Sequence, residues 1–155
     1  MKLTEEQLFE SIVLSLTRKV EDFRLANMPS SQYVNWDNHA NINELPESDV
    51  CGLAGVGMAE DDDDIYSIVF GVAMSTWGDT GGHRLTKLIS KMRAQFTKGT
   101  RLTVYDPDAM TAVPKTWMIT VLPLAVTPVQ KAEVRAVQSV MVHALLDPSS
   151  TSSAL

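Results

Sequence analysis

The stretch from Ile65 to Phe96 constrains the chain most. Its first part, Ile65 to Trp77, alternates with period 2: Tyr66, Ile68, Phe70, Val72 and Met74 fall on one side. Ser67, Gly71, Ala73 and Ser75 are the small residues opposite. Such a segment is a strand with one bulky and one flat face. Its last part has the helical period, with Leu85, Leu88, Ile89, Met92 and Phe96 in one apolar stripe. A glycine-rich turn, Gly78-Asp79-Thr80-Gly81-Gly82, separates the two. Strand, turn and helix laid back on the sheet form the nucleus of an α+β domain.

Around this nucleus the remaining elements can be placed in order. Thr4-Glu5-Glu6-Gln7 fits a capping box, Leu3 and Leu8 fit a hydrophobic staple, and Leu8, Ile12, Leu16, Val20 and Phe23 make a buried stripe. Asn27 and Pro29 stop this first helix. Ser31 to Trp36 is a candidate strand, and Asp37 to Asp49 is a polar stretch long enough to carry a functional contact. Val50 to Ala59, with Gly52, Gly55 and Gly57, reads as a strand with a bulge or bend, paired antiparallel to the Ile65 strand. Gly99 is expected to end the second helix. Strands are expected over 100–105 and 116–126, with Pro123 marking an edge or a bulge. Thr127-Pro128-Val129-Gln130 has the form of a helix start, so 128–146 is expected to be a last helix. The Ser/Thr-rich segment 147–155 is expected to be a disordered tail. The predicted fold is α+β in the order α-β-β-β-α-β-β-α, a mostly antiparallel sheet with helices packed against it, forming one domain over 1–146.

A chain of 155 residues can bury a real core in a single domain. It has no basic-then-apolar start and no run of about 18 apolar residues, which predicts a protein made in the cytoplasm with no membrane span. Cys51 is the lone cysteine, so no intrachain disulfide forms and a Cys-zinc site is not expected.

Charge is unevenly spread. Leu25 to His83 holds ten acids and no Lys or Arg; Arg84 to Arg101 holds six bases and no acid. The pattern fits either a dipolar solvated surface or head-to-tail self-association, in which an acidic region meets the basic helix of the next copy. A net charge of −6 argues against DNA binding as the main task.

No catalytic constellation stands out. Glu60-Asp61-Asp62-Asp63-Asp64 admits three readings: a calcium loop lacking the spaced acids and distal Glu, a solvated hairpin tip, or a pore lining that repels a polyanion. The turn at Asp79–Arg84 sits where phosphate loops sit but lacks their Gly-Lys-Ser/Thr ending. His39, His83 and His143 show no metal-ligand spacing, and no Gly-x-Ser-x-Gly elbow supports a Ser/His/Asp site. Met92, Met141, Trp36, Trp77 and Trp117 are expected to be packing residues. No metal and no cofactor is expected, and no enzymatic activity.

The order of elements resembles the tail terminator proteins of long-tailed bacteriophages, in the branch of lambda-like and Mu-like phages. The residues that carry the resemblance are the amphipathic helix Thr4–Phe23, the strand Tyr66–Ser75 with its Gly78–Gly82 turn, and the helix Leu85–Phe96. Tyr105-Asp106-Pro107 and the strand Trp117–Leu124 continue it. The resemblance implies a structural virion protein. It would form a homohexameric ring on the end of the tail tube, stop tube polymerisation and offer a surface for head–tail joining. Its partners would be further copies of itself, the tail tube protein and the head–tail connector, with DNA passing the lumen without specific binding. The candidate interface residues are Asp61, Asp62, Asp63 and Asp64 at the acidic tip and Arg84, Lys87 and Lys91 on the second helix. The alternatives are a head–tail adaptor of the same virion, or a small enzyme or ligand-binding module with a cleft between the second helix and the sheet.

Overall fold

A computed structural model describes residues 5–38, 44–62, 65–79, 82–103, 118–122, 125–131 and 134–146. Its elements are α1 (Glu5–Asn27), β1 (Gln32–Tyr33), β2 (Val50–Asp62), β3 (Ile65–Trp77), α2 (His83–Gln95), β4 (Arg101–Thr103), β5 (Met118–Val121), β6 (Ala125–Val126), β7 (Gln130–Lys131) and β8 (Arg135–Leu146). A 3-10 turn, Trp36–Asn38, follows β1.

β3 is the axis of the sheet, whose order is β1-β2-β3-β8-β5-β4, with β6 and β7 also on β8. One edge of β3 pairs antiparallel with β2, from Val50 opposite Ser75 to Asp62 opposite Ile65, with register shifts at Ala54/Gly57 and Glu60/Asp62. The expected bulge is therefore present, and Gly55, at φ 60°, occupies the left-handed backbone it requires. The other edge of β3 pairs antiparallel with β8, from Tyr66 opposite Leu146 to Trp77 opposite Arg135. β1 runs parallel to β2 over two residue pairs and makes the sheet mixed.

The expected alternation of β3 is realised. Ile68, Phe70, Val72 and Met74 are fully buried on one face beside Val140, Val142, Ala144 and Leu146 of β8. Both helices close that face. α1 lies over β2, burying Leu8, Ile12, Leu16, Val20 and Phe23; α2 lies over β8 and β3, burying Leu85, Leu88, Ile89 and Met92. Phe70 and Phe96 meet edge to face at 5.5 Å between ring centroids. The fold is thus α+β in two layers, as expected, with both helices on one side of the sheet.

The last helix expected over 128–146 is instead β7 and β8. Its apolar residues obey period 2, not 3.6: Ala136, Val140, Val142, Ala144 and Leu146 face the core, and β8 fills the free edge of β3 along its whole length. Three β-branched valines and a partner strand outweigh the local start signal. Thr127, the expected helix cap, latches β8 instead. Its amide donates to Ser139 O at 2.9 Å, and the Ser139 amide donates to Thr127 Oγ1 at 3.0 Å.

Smaller differences follow the same logic. The first strand contracts to two residues. The strand expected over 116–126 is divided into β5 and β6, and Pro123 lies outside the described residues. Gly99, at φ 86°, serves the turn into β4, while α2 ends at Phe96. Thr4 of the capping box, Leu3 of the hydrophobic staple and the tail 147–155 lie outside the described residues. Among the described residues no helix is long and apolar enough to cross a membrane.

Truncating the aromatic contact tests how far the core depends on α2. Phe96→Ala should cost about 3–5 kcal/mol, read as a lower urea midpoint at unchanged slope.

Candidate functional site

Three surfaces contain the residues singled out by the sequence. The first is the turn from β3 into α2. The helix begins without a side-chain cap at Gly82, which takes φ 73°. Its first turn carries no acid, and Arg84 there sits against the positive end of the helix dipole. Two aspartates offset this. Asp79 Oδ1 accepts from the Arg84 amide at 3.3 Å, and Asp79 Oδ2 accepts from the Leu85 amide at 3.0 Å and from Thr76 Oγ1 at 3.0 Å. Partial burial pushes the Asp79 carboxyl up. The bonds from Leu85, Arg84 and Thr76, with the Arg84 charge, outweigh that and hold it below its usual value. Asp49 receives Arg84 in a two-pronged ion pair, Nη2 to Oδ1 at 2.9 Å and Nε to Oδ2 at 3.0 Å. Asp49 Oδ1 also accepts from the Trp77 amide at 2.8 Å. The Asp49 hydrogen bonds raise the Arg84 pKa further.

This geometry answers the phosphate-loop reading. The amides of Arg84 and Leu85, which would receive an anion at the helix start, are already taken by Asp79. Thr80 and Gly81 lie outside the described residues.

Beside the turn, Arg135 is almost wholly buried and fastens the segment 44–49 across the flat face of the sheet. Its guanidinium donates to Ser75 Oγ at 2.9 Å, to Ser48 O at 3.2 Å and to Pro46 O, and lies 5.0 Å from the Trp77 ring centre. Val34, Leu45 and Val50 form a small second core there with Trp36. The approach is close: a Cβ on Gly52 would stand 1.7 Å from Val34 O. The polar stretch 37–49 is thus bound to the sheet through 44–49, while His39 and its neighbours to Asn43 lie outside the described residues.

The second surface is the open part of the flat sheet face. Val69 and Met141 are 48% and 41% exposed, so this end has no cover within the described residues. Met141 is accordingly not core filler, whereas Met92 is fully buried as expected. Ser67 Oγ and His143 Nε2 lie 2.5 Å apart on this face. No acid completes the pair there among the described residues, and no group of three or more His, Cys, Asp or Glu could hold a metal. His83 is exposed at the start of α2. Trp117 lies outside the described residues.

The third surface carries the charge. Lys87 and Lys91 are exposed on the outer side of α2 and form no ion pair within the described chain. Nearby Ser90, Arg93, Ala94, Thr97 and Lys98 line an open hollow of about 460 Å³. At the far end of the β2–β3 hairpin, Glu60 is exposed and the backbone of Asp61 and Asp62 continues β2. Asp63 and Asp64 lie outside the described residues. The structure therefore groups Lys87 and Lys91 on one helix face, commits Arg84 to Asp49, and places Glu60, Asp61 and Asp62 on a separate element. The sequence names Asp79 only as part of a turn and Asp49 only as the end of a polar stretch, and it gives no sign of the role of Arg135; the partners of these residues lie up to 89 residues away. Only the position of Asp79 just before a helix without acids in its first turn hinted at a cap.

No protein-family model matches the sequence, and no curated protein does. Among solved structures, one chain that bears only a sequence identifier for a name is similar to this one. It has a TM-score of 0.60 at 12% identity, over 94% of this chain and 97% of the other. A likeness at that identity shows a shared fold and nothing of activity.

Two measurements test the turn. Asp79→Ala should cost about 1 kcal/mol at neutral pH, as loss of a helix cap does. The folded pKa of Asp79 lies below its unfolded value, so its contribution is complete above about pH 4 and lost as pH falls through the folded value. The gap in urea midpoint between wild type and variant should close on acidification. Cys51 offers a separate check: burial pushes its thiol up to about 12. A thiol reagent at pH 8 should label it only at the rate of unfolding.

Proposed function

We propose that this protein is a tail-terminator-like structural virion protein, which assembles as a ring on the end of a phage tail tube, stops tube growth and offers a face for head joining. The single observation that carries the reading is the separation of unpaired charge of opposite sign onto different elements. The basic outer side of α2 and the acidic β2–β3 hairpin end belong to different elements, and Lys87, Lys91 and Glu60 find no ionic partner within the described chain. A surface of one sign that meets a surface of the other sign on the next copy gives a heterologous contact. Such contacts close into rings when the rotation permits.

Two further points support it. The two-layer α+β fold with β3 leading through a polar turn into α2 is the arrangement on which the family resemblance rests. The start of α2, considered alone as a phosphate site, has its Arg84 and Leu85 amides taken by the chain's own Asp79. In this account termination is geometric: one face of the ring matches the last tube ring, and the other cannot accept a tube subunit. The negative balance of −6 lets DNA pass the lumen without sticking.

Particles assembled without this protein should carry overlong tails. Tails of normal length without heads would contradict termination and support a head–tail adaptor. Within the protein, Lys87→Glu with Lys91→Glu should weaken self-association roughly tenfold, from about 0.2–1 kcal/mol for each exposed pair, and the loss should shrink at high salt. Unchanged assembly, measured by light scattering, would remove the electrostatic part of the account.

A further inference from the structure

β2 is an edge strand for most of its length. β1 pairs only with Val50 and Cys51. The register with β3 turns the amides of Leu53 and Gly55 outward, and each is met by a side chain: Leu53 N donates to Tyr33 Oη at 3.4 Å, Gly55 N to Asp37 Oδ1 at 2.9 Å. Beyond the bulge this protection stops. The same register, which sets Met58 opposite Ile68 and Glu60 opposite Tyr66, turns the amides of Met58 and Glu60 to the outer edge of β2, where no strand among the described residues pairs with them. Glu60 is exposed on this edge, and the backbone of β2 continues through Asp61 and Asp62. An edge of this kind repels a second acidic edge and selects a basic one.

The opposite end of the same sheet supplies a basic edge. β4 is the terminal strand of the sheet path, and no described strand lies beyond it. Arg101 is exposed on it, and Lys98 is exposed in the turn before it. We infer that the outer edge of β2 over Gly57–Asp62 is a docking edge for a second copy of this chain, which lays its β4 edge there. The sheet then continues from copy to copy. Backbone hydrogen bonds give the contact its strength, and the charge of Glu60 against Lys98 and Arg101 sets its partner and direction. The contact uses the two ends of one sheet, so it is heterologous, as a ring requires. The side-chain caps on Leu53 and Gly55 confine pairing to the outer half of β2 and fix where the neighbour begins. This inference deepens the self-assembly reading above and rests on it, but it names a strand edge where that reading invoked the face of α2.

The test uses the full chain, mixed from unlabelled and 15N-labelled protein at low salt and treated with a zero-length carbodiimide, with cross-links read by mass spectrometry. Mixed-isotope links between Lys98 and a carboxylate of 60–64 are expected. Inter-copy links through Lys87 or Lys91 alone would overturn the edge contact and leave a ring built on the helix face. A chain that stays monomeric at the highest concentration would overturn the edge contact too, while tail length in particles still judges the terminator reading separately. A pair of variants isolates the backbone. Glu60→Gln removes the charge and keeps the outward amide; Glu60→Pro removes the amide as well. Provided both melt as the wild type does, Glu60→Pro should reduce mixed-isotope coupling at least tenfold below Glu60→Gln. Equal coupling in the two would contradict strand addition.

Discussion

The structure depends on β3 being held along both edges. Its partners come from either side in sequence, β2 just before it and β8 nearly sixty residues after it. The hairpin with β2 forms locally, but two strands alone make a marginal sheet. β8 converts the hairpin into a three-stranded platform wide enough for α1 and α2 to lie side by side on one face. The bulky residues of β3 become the floor of a single core, with Phe70 under Phe96 and Met74 beside Cys51. The small residues that make its other face flat allow the 44–49 segment to lie directly on the sheet.

The turn that follows β3 transmits this order to the charged surface. Asp79 caps α2 and Asp49 clamps Arg84, so the helix axis is fixed relative to the sheet at its first turn. Arg135, on the strand beside β3, ties the same region to Ser48 and Pro46. Asp49 therefore joins the 44–49 segment, the end of β3 and the start of α2 in one hydrogen-bonded cluster. One consequence is that Arg84 is committed within the chain, while Lys87 and Lys91, one and two turns further along, are left to face outward. The division of labour among three cations of one helix is set by a single carboxylate from a distant segment.

Much of this was legible in the sequence, and the failures share one cause. The α1 stripe, the alternation in β3, the glycine bulge in β2 and the α2 stripe are local periodic signals, and each appears where it was expected. Residues 135–146 were misread because Val137, Val140, Met141, Ala144 and Leu145 fit a helical stripe as well as their neighbours fit an alternating one. A Thr-Pro-x-Gln start tipped the reading towards helix. The deciding fact, a vacant edge on β3 that needs a partner of twelve residues, is non-local. The roles of Asp49 and Arg135 are hidden for the same reason: single polar residues whose partners the fold brings together have no local signature. Met141 was assigned to the core on its chemistry, yet lies on the flat face, where Gly71 leaves room for its side chain.

The central claim is that the contact made by this chain is with further copies of itself, head to tail, at the end of a tube. Electron microscopy of the cognate tail tubes incubated with the purified protein tests it most directly. The account predicts a closed ring of one copy number on one tube end, and no further growth there when tube subunits are added. Continued growth of tubes from that end, or protein bound singly along their length, would contradict it.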